Sequence, residues 1–308
     1  MRITGVAIAA ACAGHRPPAH APAALAMHVV SADSLEAAIR RRAAAVPGAT
    51  AGIYYRPVAA SADTVAINAD SSFHAASTMK IAVMIQVYRD AEAGALSLRQ
   101  PVVVRNQFTS IVDGSPYALD PKDDSDSSMY DMVGHSITLH DLMLRMIRRS
   151  SNLATNTVIG LVGAARADST AHALGATHIR VLRGVEDGKA FAQGLNNTTT
   201  ARDLGALLMA IQQDRAATPA GCAAMREVLL GQEFNTEIPA GLPAGTKVAH
   251  KTGSITGVLH DAAIVYPANA PPYVLVVLTS GVPDERVARA MIADISRMVY
   301  AHFIGESR

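Results

Sequence analysis

Two cysteines, Cys12 and Cys222, are all that the 308 residues contain. They cannot build a disulfide framework, and their distant positions match neither a C-x-x-C redox motif nor Cys/His zinc spacing. Charge of one sign is equally scarce. The 27 Lys+Arg stand against 26 Asp+Glu, a net charge of +1, and no block of five or six like charges occurs. That balance argues against a nucleic-acid footprint or a polybasic membrane surface. No segment approaches the ~20 apolar residues of a membrane-spanning helix, and no internal repeat is visible. The eleven histidines include no H-E-x-x-H, so His135, His140, His250 and His260 read as ordinary polar side chains and no metal is expected. Gly184 to Ala190 resembles a phosphate-binding loop but has three residues between its glycines, and Ala190 where a hydroxyl should hold magnesium; no cofactor is expected. What remains is a globular composition, half hydrophobic and 17% charged, long enough for one large domain or two subdomains. Catalysis or small-molecule binding stays open.

At the N-terminus, Met1-Arg2 supplies a small positive region and Ile3 to Ala11 a short apolar one, followed by a Pro/Ala/His-rich stretch to Pro22. Residues 1–32 therefore read as an export signal and linker, which places the protein in the periplasm or cell envelope. Cys12, preceded by small residues, is a candidate lipid anchor. Ala9 stands where lipoprotein signals usually carry Leu, and cleavage nearby without lipid is the other reading.

Downstream, Ser34 caps a helix with apolar residues at Leu35, Ile39 and Ala43, and Pro47-Gly48 ends it. Residues 51–56 and 64–67, β-branched or aromatic, read as a hairpin. The pattern returns near the C-terminus, with strands over 247–252, 259–266 and 273–279 and a last helix from Glu285 to Phe303. Between Ser77 and about Gln213 the helical period dominates, with a stripe at Leu139, Leu142, Met143, Met146 and Ile147. The expected fold is α/β of the α+β type: an antiparallel sheet of about five strands flanked by helices, with an inserted all-helical subdomain. Residues 33–76 and 214–308 would form the sheet subdomain and 77–213 the helical one. Asp113 to Asp126, with Pro116 and Pro121, reads as an exposed loop.

Three short motifs carry chemistry. Ser77-Thr78-Met79-Lys80 opens the apolar run Ile81 to Tyr88, and its i, i+3 spacing puts Ser77 and Lys80 on one helix face. At a helix start the Ser77 N–H has no intrahelical acceptor and can face a developing oxyanion. A lysine buried beside a serine loses protonation through desolvation and can serve as its base. Ser150-Ser151-Asn152 follows the amphipathic stripe, and Lys251-Thr252-Gly253-Ser254 closes a strand, where Gly253 permits close approach of another backbone. Singly they read as a capped helix, a second cap and a strand-end turn. Together, in this order, they form one constellation.

On these residues the chain resembles the class A serine β-lactamases, within the penicillin-binding and transpeptidase-like serine hydrolases. The resemblance spans residues 34 to 303 and includes the run Gly241 to Gly253 and Leu153 to Asn156. It implies Ser77 as the acylated nucleophile, Lys80 as its proton acceptor and Ser150 as proton donor to the leaving nitrogen. It implies that Asn152 holds the substrate's side-chain amide and that Lys251 and Thr252, beside Gly253, bind its carboxylate. The N–H groups of Ser77 and Ser254 would form the oxyanion hole. Two departures stand out. Ser151 occupies a position where the family has a structural Asp, and the water-activating E-x-x-L-N motif is missing. Glu186, three residues after Arg183, is the candidate base, against the reading of a surface carboxylate paired with Arg183 or Lys189. The implied activity is opening of the β-lactam amide through a Ser77 acyl-enzyme and its hydrolysis by water. The same residues fit a D-Ala-D-Ala carboxypeptidase or esterase with slow β-lactam deacylation, or a β-lactam sensor without turnover. The expected partner is a small β-lactam or peptidoglycan-like peptide, and the expected state a monomer. Tyr117 and Tyr130 both qualify as an aromatic wall over the cleft.

Overall fold

The computed structural model describes Met1, residues 32–59 and residues 63–306. The remainder of the leader, Cys12 included, lies outside the described residues.

The five-stranded antiparallel sheet expected from the sequence is present. Strands β1 (Thr50–Pro57), β2 (Val65–Ile67), β9 (Lys247–Ile255), β10 (Val258–Tyr266) and β11 (Tyr273–Ser280) are ordered β2-β1-β11-β10-β9. Side chains alternate between its faces as the two-residue period of a strand requires. Ile53, Tyr55, Leu275 and Val277 pack against Leu35 and Ile39 of helix α1 (Ala32–Ala44) and Met291, Ile295 and Val299 of α9 (Glu285–Glu306). Tyr54, Val274, Val276 and Leu278 point the other way, into a larger core shared with the remaining helices. Both faces are covered, which explains why Tyr273 to Leu278 is an unbroken buried run rather than an alternating one.

The second core is built by α2 (Lys80–Glu92), α3 (Leu139–Arg148), α4 (Asn152–Val162), α5 (Ala164–Ala173), α7 (Ala201–Gln212) and α8 (Pro219–Leu230), while the short α6 (Gly188–Ala192) contributes no side chain to it. Helix α2 is apolar nearly all round and is buried accordingly, from Ile81 through Tyr88. The stripe Leu139, Leu142, Met143, Met146 and Ile147 faces inward from α3, whose cap Thr138 accepts the Asp141 N–H at 3.1 Å.

The middle segment differs from expectation in one stretch. Residues 93–138 are not helical but form the short strands β4 (Pro101–Val103), β5 (Phe108–Thr109), β6 (Pro116–Tyr117) and β7 (Ser136–Thr138) with a 3₁₀ turn at Ser127–Met132. Strand β4 pairs with β7 and β5 with β6, while β3 (Phe73–His74) pairs with β8 (Thr198–Thr199). Pro101, Pro116 and Pro121, together with Gly94, Gly114 and Gly134 at positive φ, break any helical period there. The exposed-loop reading of Asp113 to Asp126 also needs correction at three positions. Leu119, Asp124 and Asp126 are buried, the last between Arg145 (2.8 Å) and Arg149 (3.0 Å).

Candidate active site

The sheet ends at β9, and the free side of that edge strand faces the start of α2. The helix does not begin at Ser77 as an α-helix; a 3₁₀ turn, Ala76–Met79, leads into α2 at Lys80. In a 3₁₀ turn residues i and i+3 eclipse, so Ser77 and Lys80 still share a face. Ala76 is held at φ +45°, the left-handed region that costs a non-glycine residue free energy. Gly253 of β9 lies directly against this turn. A Cβ there would stand 3.0 Å from Ser77 N and 3.1 Å from Thr78 N, so only glycine lets the strand approach so closely. The half-buried Ser77 is thereby set beside the strand end Gly253-Ser254.

Two fully buried lysines converge on one hydroxyl. Lys80 Nζ donates to Ser150 O at 2.7 Å, to Ser150 Oγ at 3.2 Å and to Asn152 Oδ1 at 3.1 Å. Lys251 Nζ donates to the same Ser150 Oγ at 3.0 Å and to Thr252 O at 2.8 Å. A hydroxyl has two acceptor lone pairs and one proton. With both lone pairs receiving lysine N–H groups, the Ser150 proton is left to point elsewhere. Ser150 itself sits at φ +56°. Burial pulls Lys80 down to about 7, against the opposing charges of Asp124 and Glu186. Burial, then the charge of Lys80, lowers Lys251 well below the usual lysine range, with Asp261 and Glu237 opposing. Near neutral pH Lys80 is therefore divided between its charged form and the neutral form a proton acceptor requires.

Asn152 links this pair to the loop carrying Glu186. Its Oδ1 faces Lys80, and its Nδ2 donates to Glu186 Oε1. The loop is clamped one residue earlier: Val185 N donates to Asn156 Oδ1 at 2.6 Å, and Asn156 Nδ2 donates to Val185 O at 3.0 Å. Asp187 anchors the other side, capping α6 and accepting from Ser110 Oγ and Ile111 N, both at 2.9 Å. The two cations that could neutralise Glu186 at the surface are engaged elsewhere. Arg183 donates to Leu195 O, Gly184 O and Asn196 Oδ1, and Lys189 pairs with Asp113 at 2.7 Å. Glu186 keeps access to solvent, yet the surrounding protein desolvates its carboxyl enough to raise its pKa. Asp124 and Asp123 add to the rise, while the Asn152 hydrogen bond and Lys80 oppose it.

Ser77 stands where two cavities meet. One, of about 560 Å³, is bordered by Ser77, Asn152, Glu186, Phe191 and Ile255. The other, of about 220 Å³, is bordered by Ser77, Ser150, Asn152, Thr252, Gly253 and Arg289. Ser77, Asn152 and Ser254 border both, so the two form one cleft of a size suited to a small organic ligand. All nine sequence-selected residues thus lie at this cleft or in its floor. Sequence reasoning missed His74, Phe191, Phe234 and Arg289 on its walls and Asp124 beneath it. Arg289 lies in a helical period that gave no sign of a site. Tyr117 and Tyr130 do not border these cavities: Tyr117 OH donates to Val185 O and Tyr130 OH to Asp124. Among the described residues no group of three His, Cys, Asp or Glu side chains could hold a metal ion, and no helix is long and apolar enough to cross a membrane. His250 forms a buried pair with Asp261, at 3.0 Å.

Comparison with known proteins places these observations in a family. The model described as "Beta-lactamase enzyme family" matches residues 34–303. A beta-lactamase of Amycolatopsis lactamdurans is 28% identical over 243 residues, covering 77% of this chain and 76% of that protein. A beta-lactamase from Sphaerobacter thermophilus, of known structure, is 28% identical with a TM-score of 0.72, over 89% of this chain and 97% of that one. A mutant of PBP-A, solved as an acyl-enzyme complex with penicillin G, is 26% identical with a TM-score of 0.74, over 88% of this chain and 97% of that one.

Proposed function

This chain belongs to the beta-lactamase enzyme family, and from that premise we propose that it hydrolyses β-lactams through an acyl-enzyme on Ser77. The substrate carboxylate binds at Lys251, Thr252 and Arg289, where its charge favours the ammonium form of Lys251 that burial disfavours. Its carbonyl oxygen faces the N–H groups of Ser77 and Ser254. Ser77 Oγ attacks the carbonyl carbon as its proton passes to neutral Lys80. The C–N bond then breaks as Ser150 Oγ gives its proton to the nitrogen and is reprotonated from the lysines beside it. In the second half, Glu186 takes a proton from water as its oxygen attacks the ester carbon; the C–O bond to Ser77 then breaks, Ser77 Oγ takes up a proton from Lys80, and the proton held by Glu186 is released to solvent as Lys80 and Glu186 return to their starting forms.

The observation that carries this reading is the sharing of Ser150 Oγ by two buried lysines in the floor of a cleft bordered by Ser77. It supports a proton path from nucleophile to leaving group. The second reading, a D-Ala-D-Ala carboxypeptidase or esterase with slow β-lactam deacylation, shares the first half. The specific observation in its favour is that the Asn156 clamp holds Val185, leaving Glu186 one residue beyond it. On the composition of residues 1–32, the proposed place of action is the cell envelope, with a small-molecule substrate.

The test is turnover of a chromogenic cephalosporin, with mass spectrometry of the quenched enzyme. The wild type is expected to turn over many equivalents and to carry a transient adduct on Ser77. Ser77→Ala is expected to abolish the adduct while changing stability by no more than about 1 kcal/mol, since one half-buried hydroxyl is lost. An adduct that persists in the variant overturns the assignment.

A further inference from the structure

A carboxylate from the loop at residues 113–126 reaches beneath the site. Asp124 Oδ2 accepts the backbone N–H groups of Asn152 and Leu153, both at 2.9 Å, the Ser151 hydroxyl at 3.3 Å and the Tyr130 hydroxyl at 3.2 Å. Its Oδ1 accepts the Asp126 N–H at 2.9 Å. Asn152 and Leu153 open α4, so their N–H groups have no acceptor within the helix, and a helix N-terminus favours negative charge. Only 7% of Asp124 is exposed, so these bonds are little weakened by water.

The anchored corner bears the two side chains that meet Lys80. Ser150 lies just before it and Asn152 within it, and Asn152 also meets Glu186. We infer that Asp124 is a positioning residue for Ser77 acylation: its carboxylate fixes the Ser150–Asn152 corner against Lys80. The inference rests on the proposed function of the site.

Ser151 explains why the acid can come from so distant a place. It caps α4 by accepting the Ala154 N–H at 3.2 Å while donating to Asp124. An acidic residue at 151 would bring a second carboxylate against the first. With Asp124 neutralised, it could instead cap the same helix end itself. The corner accommodates one carboxylate, from either side.

This reciprocity supplies the test. The acylation rate constant of D124N, S151D and the double variant D124N/S151D would be measured by stopped flow with saturating chromogenic cephalosporin. The comparison uses the alkaline plateau of each form's pH profile, where Lys80 is neutral whatever the charge at 124 or 151, and a saturated rate constant does not depend on how much protein is folded. D124N is expected to acylate at least tenfold more slowly than wild type, and S151D alone to be slowed as well. The double variant is expected to return to within about threefold of wild type. Wild-type acylation by D124N overturns the role, as does a double variant that is no faster than D124N or does not fold. A wild-type enzyme that forms no Ser77 adduct in the same experiment refutes the proposed function instead, and the positioning role falls with it.

Discussion

Glu186→Gln separates the two halves of the proposed reaction. Glutamine keeps an oxygen that can accept from Asn152 Nδ2 but removes the negative charge and the base. Deacylation should fall by the 10²- to 10⁴-fold typical of a lost general base, about 3–5 kcal/mol of barrier. Acylation depends on Lys80 instead and should continue. The direction of its pH dependence also follows. The Glu186 charge favours the ammonium form of Lys80, so removing it lowers the lysine below its present value of about 7. Because Lys80 acts when neutral, the acid limb of acylation should move to lower pH, and acylation near pH 6 should be faster than in wild type. Stopped-flow traces with a chromogenic cephalosporin between pH 6 and 9, with mass spectrometry of quenched samples, read both effects. The expected result is a burst of one equivalent, a slow steady state and accumulated adduct. An unchanged steady-state rate without accumulation would refute Glu186 as the water-activating base. An acid limb displaced upward would refute the electrostatic coupling to Lys80. Slow deacylation already in the wild type would favour the carboxypeptidase reading.

Two further variants probe the cleft floor and the edge strand. Lys251→Ala should lower kcat/KM at least tenfold for substrates bearing a carboxylate, since a charge-assisted hydrogen bond contributes about 1.5–3 kcal/mol. Neutral esters should lose less. Equal loss for both would show that Lys251 acts only through Ser150 Oγ, 3.0 Å away. Gly253→Val should push β9 off the Ser77 turn, where even a Cβ would come within 3.0 Å of Ser77 N. Acylation should fall at least tenfold, with a thermal-denaturation cost of about 1–3 kcal/mol from overpacking. An unaltered acylation rate would show that the close approach is dispensable.

The parts of the fold and cleft that were legible in the sequence are those governed by local rules. Period-two and apolar runs marked β1, β9, β10 and β11, and the stripe from Leu139 to Ile147 marked α3. The spacings around Ser77, Ser150 and Lys251 were visible because the chemistry they imply needs fixed residue types at fixed separations. Asp124 was not legible. An acidic residue between Pro121 and Asp126 looks solvated, and only the tertiary approach of the α4 N-terminus buries it. Glu237 and Arg289 were hidden likewise. They meet at 3.3 Å although 52 residues apart, and nothing local to either announces the pair. The short strands between 93 and 138 were missed because two- and three-residue pairings carry too few side chains to establish a period.

The register of the sheet also governs the order in which this molecule can come into being. Strand β1 pairs along its whole length with β11, Thr50 against Ser280, so partners in the middle of the sheet are about 230 residues apart in the chain. Closing such a loop costs about 3 kcal/mol more than closing a ten-residue hairpin, and pairing that distant slows folding. Helices α2 to α5 draw most of their contacts from nearer in the chain and can gather first, bringing Ser77, Lys80 and Ser150 within one half-built unit. Lys251 and Gly253 join only when β9 docks, and β9 is held through β10 to β11. A chain still emerging from the ribosome therefore carries the nucleophile long before it carries the strand that would set it to work.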